Sequence, residues 1–216
     1  MEKIGTSSYS LDVNGHCALL TSNRLILIDT ATQPTAEDLL NEISKTGYKA
    51  TDIESIIITH THLDHVGGLT KLKEISGANI AAHEIEAAFI SKEKTYDGPP
   101  GAQYQKHEGT PINHLLKDGD IYEGLLIIHT PGHTPGHISL LDTELELLIG
   151  GDALRNDEEG LAPMPDMYNF DPKLHRESIK KLGNYNFKHL IIGHGNPVEH
   201  HAKEMLNKLI SSGNLD

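Results

Sequence analysis

One cysteine, Cys17, stands in 216 residues, so no internal disulfide can form. Basic side chains are scarce as well: 18 Lys and Arg stand against 31 Asp and Glu, a formal charge of −13. A field of that sign repels phosphate backbones, and no Lys or Arg cluster accompanies an aromatic platform, so nucleic acid is not an expected partner. Nowhere do 18 apolar residues run uninterrupted, which removes a membrane-spanning helix from the expectations. The stretch from Met1 to Ser8 has no apolar core of the secretory kind, and a cytoplasmic protein is the natural expectation. A chain of this length predicts one domain over residues 1–216 with a sizeable core, and a homodimer is compatible with it.

Histidine, in contrast, is plentiful, with 15 copies. His60-Thr61-His62-Leu63-Asp64-His65 places four potential metal ligands in six residues, directly after the apolar run Ile56-Ile57-Ile58. On an α-helix His60 and His62 would point about 200° apart, so they could not share one ion. An extended strand end turns alternate side chains to the same side, and a following turn can bring Asp64 and His65 to a neighbouring position. Such a cluster suits two ions better than one.

The same grammar recurs three times: a buried strand, a break containing glycine, then a ligand. Leu125 to Ile128 runs into Thr130-Pro131-Gly132-His133-Thr134-Pro135-Gly136-His137. Leu145 to Ile149 leads into Gly150-Gly151-Asp152, and Leu190 to Ile192 into Gly193-His194-Gly195. Glycine there permits positive φ and close backbone approach to an ion.

These motifs resemble those of the metallo-β-lactamase fold superfamily of hydrolases, on its glyoxalase II-like side, and they span residues 60 to 194. The resemblance implies a four-layer αβ/βα sandwich of the α/β class. It implies that His60, His62 and His133 ligate one metal, that Asp64, His65 and His194 ligate a second, and that Asp152 bridges them. Imidazole and carboxylate donors without thiolate suit two zinc ions best and leave iron or manganese open. Two ions about 3.5–4 Å apart can share a water, lower its pKa toward 7 and polarise the oxygen under attack, so no Ser or Cys nucleophile is required. Asp64 is then the catalytic carboxylate that orients that water and passes a proton toward the leaving group. Cys17, remote from every motif, reads as a small buried hydrophobe.

Asp29, at the end of the strand Leu27-Ile28, resembles the family's carboxylate behind a metal-bound imidazole; capping of the turn before the next helix is the equal alternative. His137 either orients its loop by hydrogen bonding or is simply structural. Two irregular stretches are candidate walls for a small-molecule substrate: Lys92 to Thr110, with Tyr96 and Tyr104, and Ala153 to Phe170, with Met164, Met167, Tyr168 and Phe170. Packing of those side chains onto the core is the bland counterpart.

Departures from named branches narrow the expectation. The basic and aromatic stretch that glyoxalase II proper carries after its bridging aspartate is replaced by Ala153-Leu154-Arg155-Asn156-Asp157-Glu158, which puts glutathione thioesters in doubt. Asp152 argues against antibiotic hydrolysis as the native role, because β-lactamases of this fold lack that aspartate. His62 stands where flavodiiron oxygen reductases have glutamate. What remains is a dinuclear zinc hydrolase of a small ester, thioester, lactone or phosphoester, with a mononuclear iron persulfide dioxygenase, using only His60, His133 and Asp152, as the alternative.

Local patterning predicts a hairpin from Ser8 to Val13 and His16 to Leu20 through Asn14-Gly15, and a third strand over Arg24 to Ile28. Helices are expected over Thr35 to Lys45, Gly68 to Ile75, Glu84 to Ser91, Pro172 to Leu182 and His201 to Ser211. Strands are expected at Ile56 to Thr59, Asn79 to Ala82, Ile121, Leu125 to His129, Ile138 to Leu141, Leu145 to Ile149 and His189 to Ile192.

Overall fold

The computed structural model describes residues 1–215. Its first sheet is built from β1 (Glu2–Ile4), β2 (Ser8–Asp12), β3 (His16–Leu20) and β4 (Ile26–Ile28), which run antiparallel in that order. After α1 (Glu37–Lys45), β5 (Ser55–Ile58) joins β4 in parallel. Two helices follow where one was expected: α2 (Leu63–Val66) and α3 (Leu69–Ser76). Then β6 (Asn79–His83), α4 (Glu84–Ile90) and β7 (His114–Leu116) complete seven strands in sequential order.

A second sheet holds β8 (Ile121–Tyr122), β9 (Leu125–His129), β10 (Ile138–Asp142) and β11 (Leu147–Ile149). Next come β12 (Leu154–Asp157), β13 (Gly160–Pro163), α5 (Pro172–Leu182), β14 (His189–Ile191), β15 (His194–Gly195) and α6 (Ala202–Ser211). β14 pairs in parallel with β11 and closes the second sheet at five strands. A small third sheet, in the order β13, β12, β15, was not expected from the sequence. It occupies much of the stretch read as irregular after Asp152. The hairpin turns on an Asx bond, Glu159 N–H to Asp157 Oδ1 at 3.0 Å, and on Gly160 at φ +101°. Its polar sequence Arg155-Asn156-Asp157 shows no apolar alternation, which is why the periodicity gave no strand there.

Alternate side chains of each strand separate into layers. Ile26, Ile28, Ile57 and Ala81 of the first sheet meet Ile127, Leu140, Leu147 and Ile149 of the second in one buried cluster. Leu27, Ile56, Ile58 and Ile80 face the opposite way, against Leu39 and Ile43 of α1 and Leu69 and Leu72 of α3. Ile128, Leu141 and Leu148 likewise pack on Ile179 and Leu182 of α5 and Leu206 of α6. The result is helix, sheet, sheet, helix: a four-layer αβ/βα sandwich. Cys17 is buried within the first outer layer. Among the described residues no helix is long and apolar enough to cross a membrane.

One edge of the sandwich gathers the chain segments that matter for chemistry. Ile138 N–H donates to Thr59 O (3.1 Å), Gly193 N–H to Gly151 O (3.0 Å), and His16 N–H to Gly193 O (2.8 Å). Backbone bonds thus tie the end of β5 to the start of β10, the loops after β11 and β14 to each other, and β3 to the loop after β14.

Candidate metal centre

Past the end of β5, residues 59–61 belong to no helix or strand, and His62 caps α2 with φ −64° and ψ 149°. Asp64 and His65 lie within that single helical turn. Gly67 is required by packing rather than by an ion, since a Cβ there would stand 2.2 Å from Thr32 O. Gly193 does serve the cluster directly: its Cβ would come within 2.0 Å of Asp152 Oδ1.

The seven side chains fall into two groups, each with ligand atoms within 4.8 Å of one another: His60, His62 and His133, and Asp64, His65, Asp152 and His194. Asp152 faces both. Its Oδ2 lies 3.3 Å from His133 Nε2 and 3.1 Å from His194 Nε2, and its Oδ1 lies 3.2 Å from His65 Nε2. Asp64 Oδ2 is 3.2 Å from His194 Nε2.

Hydrogen bonds behind the rings fix their tautomers. Asp29, held at φ 62°, accepts from Thr59 N–H (2.8 Å), Thr59 Oγ1 (2.7 Å) and His65 Nδ1 (2.8 Å). Because the Thr59 hydroxyl donates to Asp29, it accepts from His60 Nδ1, 3.0 Å away. His133 Nδ1 donates to Asn169 Oδ1 at 2.9 Å. His60 and His65 therefore each present a bare Nε2 to the site, while Nε2 of His133 accepts from His62 Nδ1, 2.9 Å away. His137 sits one step back: Nδ1 donates to Thr130 Oγ1 (2.8 Å), and Nε2 accepts from the backbone N–H of Asp152 (3.0 Å). His175 Nε2 donates to Asp152 O (3.3 Å) and takes a bond at Nδ1 from Asn169.

Burial and the neighbouring imidazoles push His60 far below the ordinary histidine range, and burial and His133 push His62 to about 3. Burial opposes charge on His65 too, yet Asp152, Asp29 and Asp64 together raise it. Hydrogen bonds to Asp152 and Asp64 hold His194 up to about 10. Asp152 itself is kept ionised against its burial by His65, His133 and His194. The carboxylates thus demand positive charge among them, as protons or as cations. Buried nitrogen and oxygen atoms are ordinarily paired. Here Nε2 of His60, His62 and His65 and Oδ1 of Asp152 lack hydrogen-bond partners, and the donor set is imidazole and carboxylate, so the residues fit metal ions.

A cavity of about 360 Å³ opens over the cluster, with Pro100, Met164, Pro165, Tyr168 and Arg155 on its wall beside His62, Asp64, His133, Asp152 and His194. Four of the six residues expected on that wall are not there. Tyr104, Met167 and Phe170 point to solvent, with 63%, 72% and 55% of their surface exposed. Asp166–Tyr168 is a tight 3-10 turn in which successive side chains leave about 120° apart, so Tyr168 and Met167 cannot both face inward. Tyr96 is buried, its ring centroid 5.5 Å from that of His62, and it lines a separate recess of about 730 Å³ that contains none of the seven ligand side chains.

Glu86 is a residue that the motifs did not reveal. It is wholly buried on α4, and its carboxylate accepts from Thr61 N–H (2.8 Å), Thr134 Oγ1 (2.7 Å) and Gly136 N–H (2.8 Å). Leaving those donors unpaired would cost about 1–3 kcal/mol each. The helix offered one signal: Glu86 shares a face with Ala87 and Ile90, which an acidic side chain normally avoids.

Residues 11–194 match the sequence profile described as Metallo-beta-lactamase superfamily. A probable metallo-hydrolase of Bacillus subtilis, YflN, is 27% identical over 80% of this chain and 76% of its own length. The N-acyl homoserine lactonase AiiA of Bacillus thuringiensis subsp. kurstaki is 33% identical over 68% of this chain, which spans 57% of that lactonase. Among solved structures, the metallo-beta-lactamase family protein TTHA1429 of Thermus thermophilus superposes with a TM-score of 0.75 at 23% identity, covering 95% of this chain and 78% of that one. The class B3 di-zinc metallo-beta-lactamase LRA-12, from an Alaskan soil metagenome, gives 0.76 at 22% identity, covering 97% and 89%. At such identities the structural likeness speaks for the fold alone. The chain belongs to the metallo-beta-lactamase superfamily, and it is a metal-dependent hydrolase.

Proposed function

We propose that the protein is a dinuclear zinc hydrolase of a small carboxylic ester, with a lactone first among the candidates and thioesters and phosphoesters as the wider class. The observation that supports this most is the position of Asp152, one carboxylate facing both ligand groups. His60, His62 and His133 would hold one ion, Asp64, His65 and His194 the second, and Asp152 both. Bound there, such a pair supplies an activated water near neutral pH and an electrophile for the carbonyl oxygen.

The remaining work falls to the chain's own groups. Asp64 stands on the cavity wall, and His65 and His194 hold it ionised against its burial, so it can take a proton from the attacking water and return it to the leaving oxygen. Pro100, Met164 and Pro165 would cover an acyl or alkyl portion and exclude water from it, while the Tyr168 ring forms one side. Cys17 takes no part: burial raises its thiol far above the range in which it ionises. Lactones head the list because AiiA, the lactonase compared above, is named for opening one.

A one-iron persulfide dioxygenase would use His60, His133 and Asp152 and leave His62, His65 and His194 idle, although these too point into the cluster. Metal analysis followed by a panel of lactones, carboxyl esters, thioesters and phosphodiesters tests the reading. Two zinc per chain with turnover of an ester or lactone is expected. One iron per chain, with oxygen uptake on a thiol persulfide, would overturn it.

A further inference from the structure

We infer that Glu86 is a positioning residue that sets the separation of the two chain segments supplying the three-histidine group, and thereby that group's affinity for its ion. The inference rests on the metal-binding reading above. One segment is His60-Thr61-His62, and Glu86 Oε2 accepts the N–H of its central residue. The other runs from His133 to His137, and Oε1 accepts from Thr134 and Gly136 within it. All three donors are uncharged, and they approach from segments about 70 residues apart in the chain, so a single carboxylate acts as their common anchor.

The rings have their own supports, but those act differently. Thr59 holds the ring of His60, and Asn169 that of His133, each from one side. They orient imidazoles; Glu86 holds backbone against backbone. The close fit at Gly136 agrees, since a Cβ there would stand 2.9 Å from both the Cγ and the N of Glu86. That glycine in the Pro135-Gly136-His137 turn is therefore explained by the approach of α4 rather than by an ion. A shift of a few tenths of an ångström in this separation changes how the Nε2 atoms of His60 and His133 converge. Nothing in the second group bonds to Glu86, so the effect should be confined to the first.

The experiment uses the full chain and zinc, titrated against a chromophoric chelator. Glu86→Gln keeps the size of the side chain but turns an amide N–H₂ toward at least one N–H or O–H donor. In a His194→Ala background, which reports the three-histidine group, adding Glu86→Gln should raise the zinc Kd by roughly 10–100-fold, the range found when partners behind ligands are removed. In a His133→Ala background, which reports the other group, the Kd should not move. Ser55→Ala, which removes a buried hydroxyl of β5 bonded to Tyr122 of the second sheet, should lower the thermal midpoint without changing either Kd. If Glu86→Gln does not fold, Glu86→Asp, which keeps both acceptors on a shorter arm, takes its place with the same expected selectivity. Equal shifts in both backgrounds, or none in either, would reduce Glu86 to a fold-stabilising group and overturn the inference. A wild-type chain that takes up no zinc would overturn the hydrolase reading with it, and that result is seen before any variant is made.

Discussion

In the group formed by His60, His62 and His133 every imidazole is buried, two have their Nδ1 atoms bound from behind, and His62 is wedged among the rings of His60, His133 and Tyr96. In the other group Asp64 and His194 keep 31% and 38% of their side-chain surface, and the ring of His194 bonds to the Asp64 and Asp152 carboxylates rather than to a support behind it. The first group is preorganised throughout, whereas the second joins a braced half, His65 on Asp29 and buried Asp152, to an adjustable one, Asp64 and His194. Preorganisation lowers the cost of gathering ligands, so the enclosed group should hold its ion more tightly. The open group lines the cavity, and a site where substrate must enter needs groups that can move.

The hardest blow to this contrast falls on the residue common to both halves. Asp152→Ala should empty both groups and abolish turnover, losing more than the roughly 10–100-fold that removal of a partner behind a ligand costs; metal analysis that still finds one tightly held ion would show the halves to be independent. Next comes Asp64→Asn, expected to fold normally and to lose about 10²–10⁴-fold in turnover, the usual contribution of a positioned acid or base. Unchanged turnover would remove Asp64 from the mechanism. A paired titration then measures the asymmetry itself. His133→Ala should strip the tighter ion, whereas His194→Ala should weaken only the looser one, and the reverse order in calorimetry would invert the comparison.

The smallest effect lies outside both halves. Burial and the stacked ring of His129, 4.2 Å away, push His83 down to about 4 from an ordinary value of 6.5. A base with a lower pKa when folded stabilises the protein fully above 6.5 and loses that contribution as pH falls toward 4. Thermal midpoints measured across that interval should decline less steeply in His83→Gln than in the wild type.

Where candidate ligands are compressed into short motifs, the sequence pointed to side chains that the fold brings together: His60 to His65 sit in one hexapeptide, and glycine marks the other three stations. The two sheets were visible because runs such as Ile56-Ile57-Ile58 must be buried on both faces. Contacts made over long sequence distances were not. Glu86 meets residues 25 and 50 positions away, and Asn169 meets His133 across 36, with no local pattern to announce either bond. Short edge strands escaped as well, since β1, β7 and the polar hairpin of β12 and β13 gain their pairing from neighbours rather than from their own periodicity. Of the six side chains proposed as substrate walls, Met164 and Tyr168 reach the cavity, because a single 3-10 turn decides which way that loop looks.

The backbone bond from His16 to Gly193 joins one of the earliest strands to the last ligand loop. During synthesis at about 5–20 residues per second, the histidine-rich segment after β5 waits on the order of ten seconds for the loop bearing His194. Until then its imidazoles are exposed on an unfinished chain, free to capture stray cations in the wrong geometry. The group that includes His194 is complete only once that loop has been made, so full occupancy of both groups has to follow its synthesis.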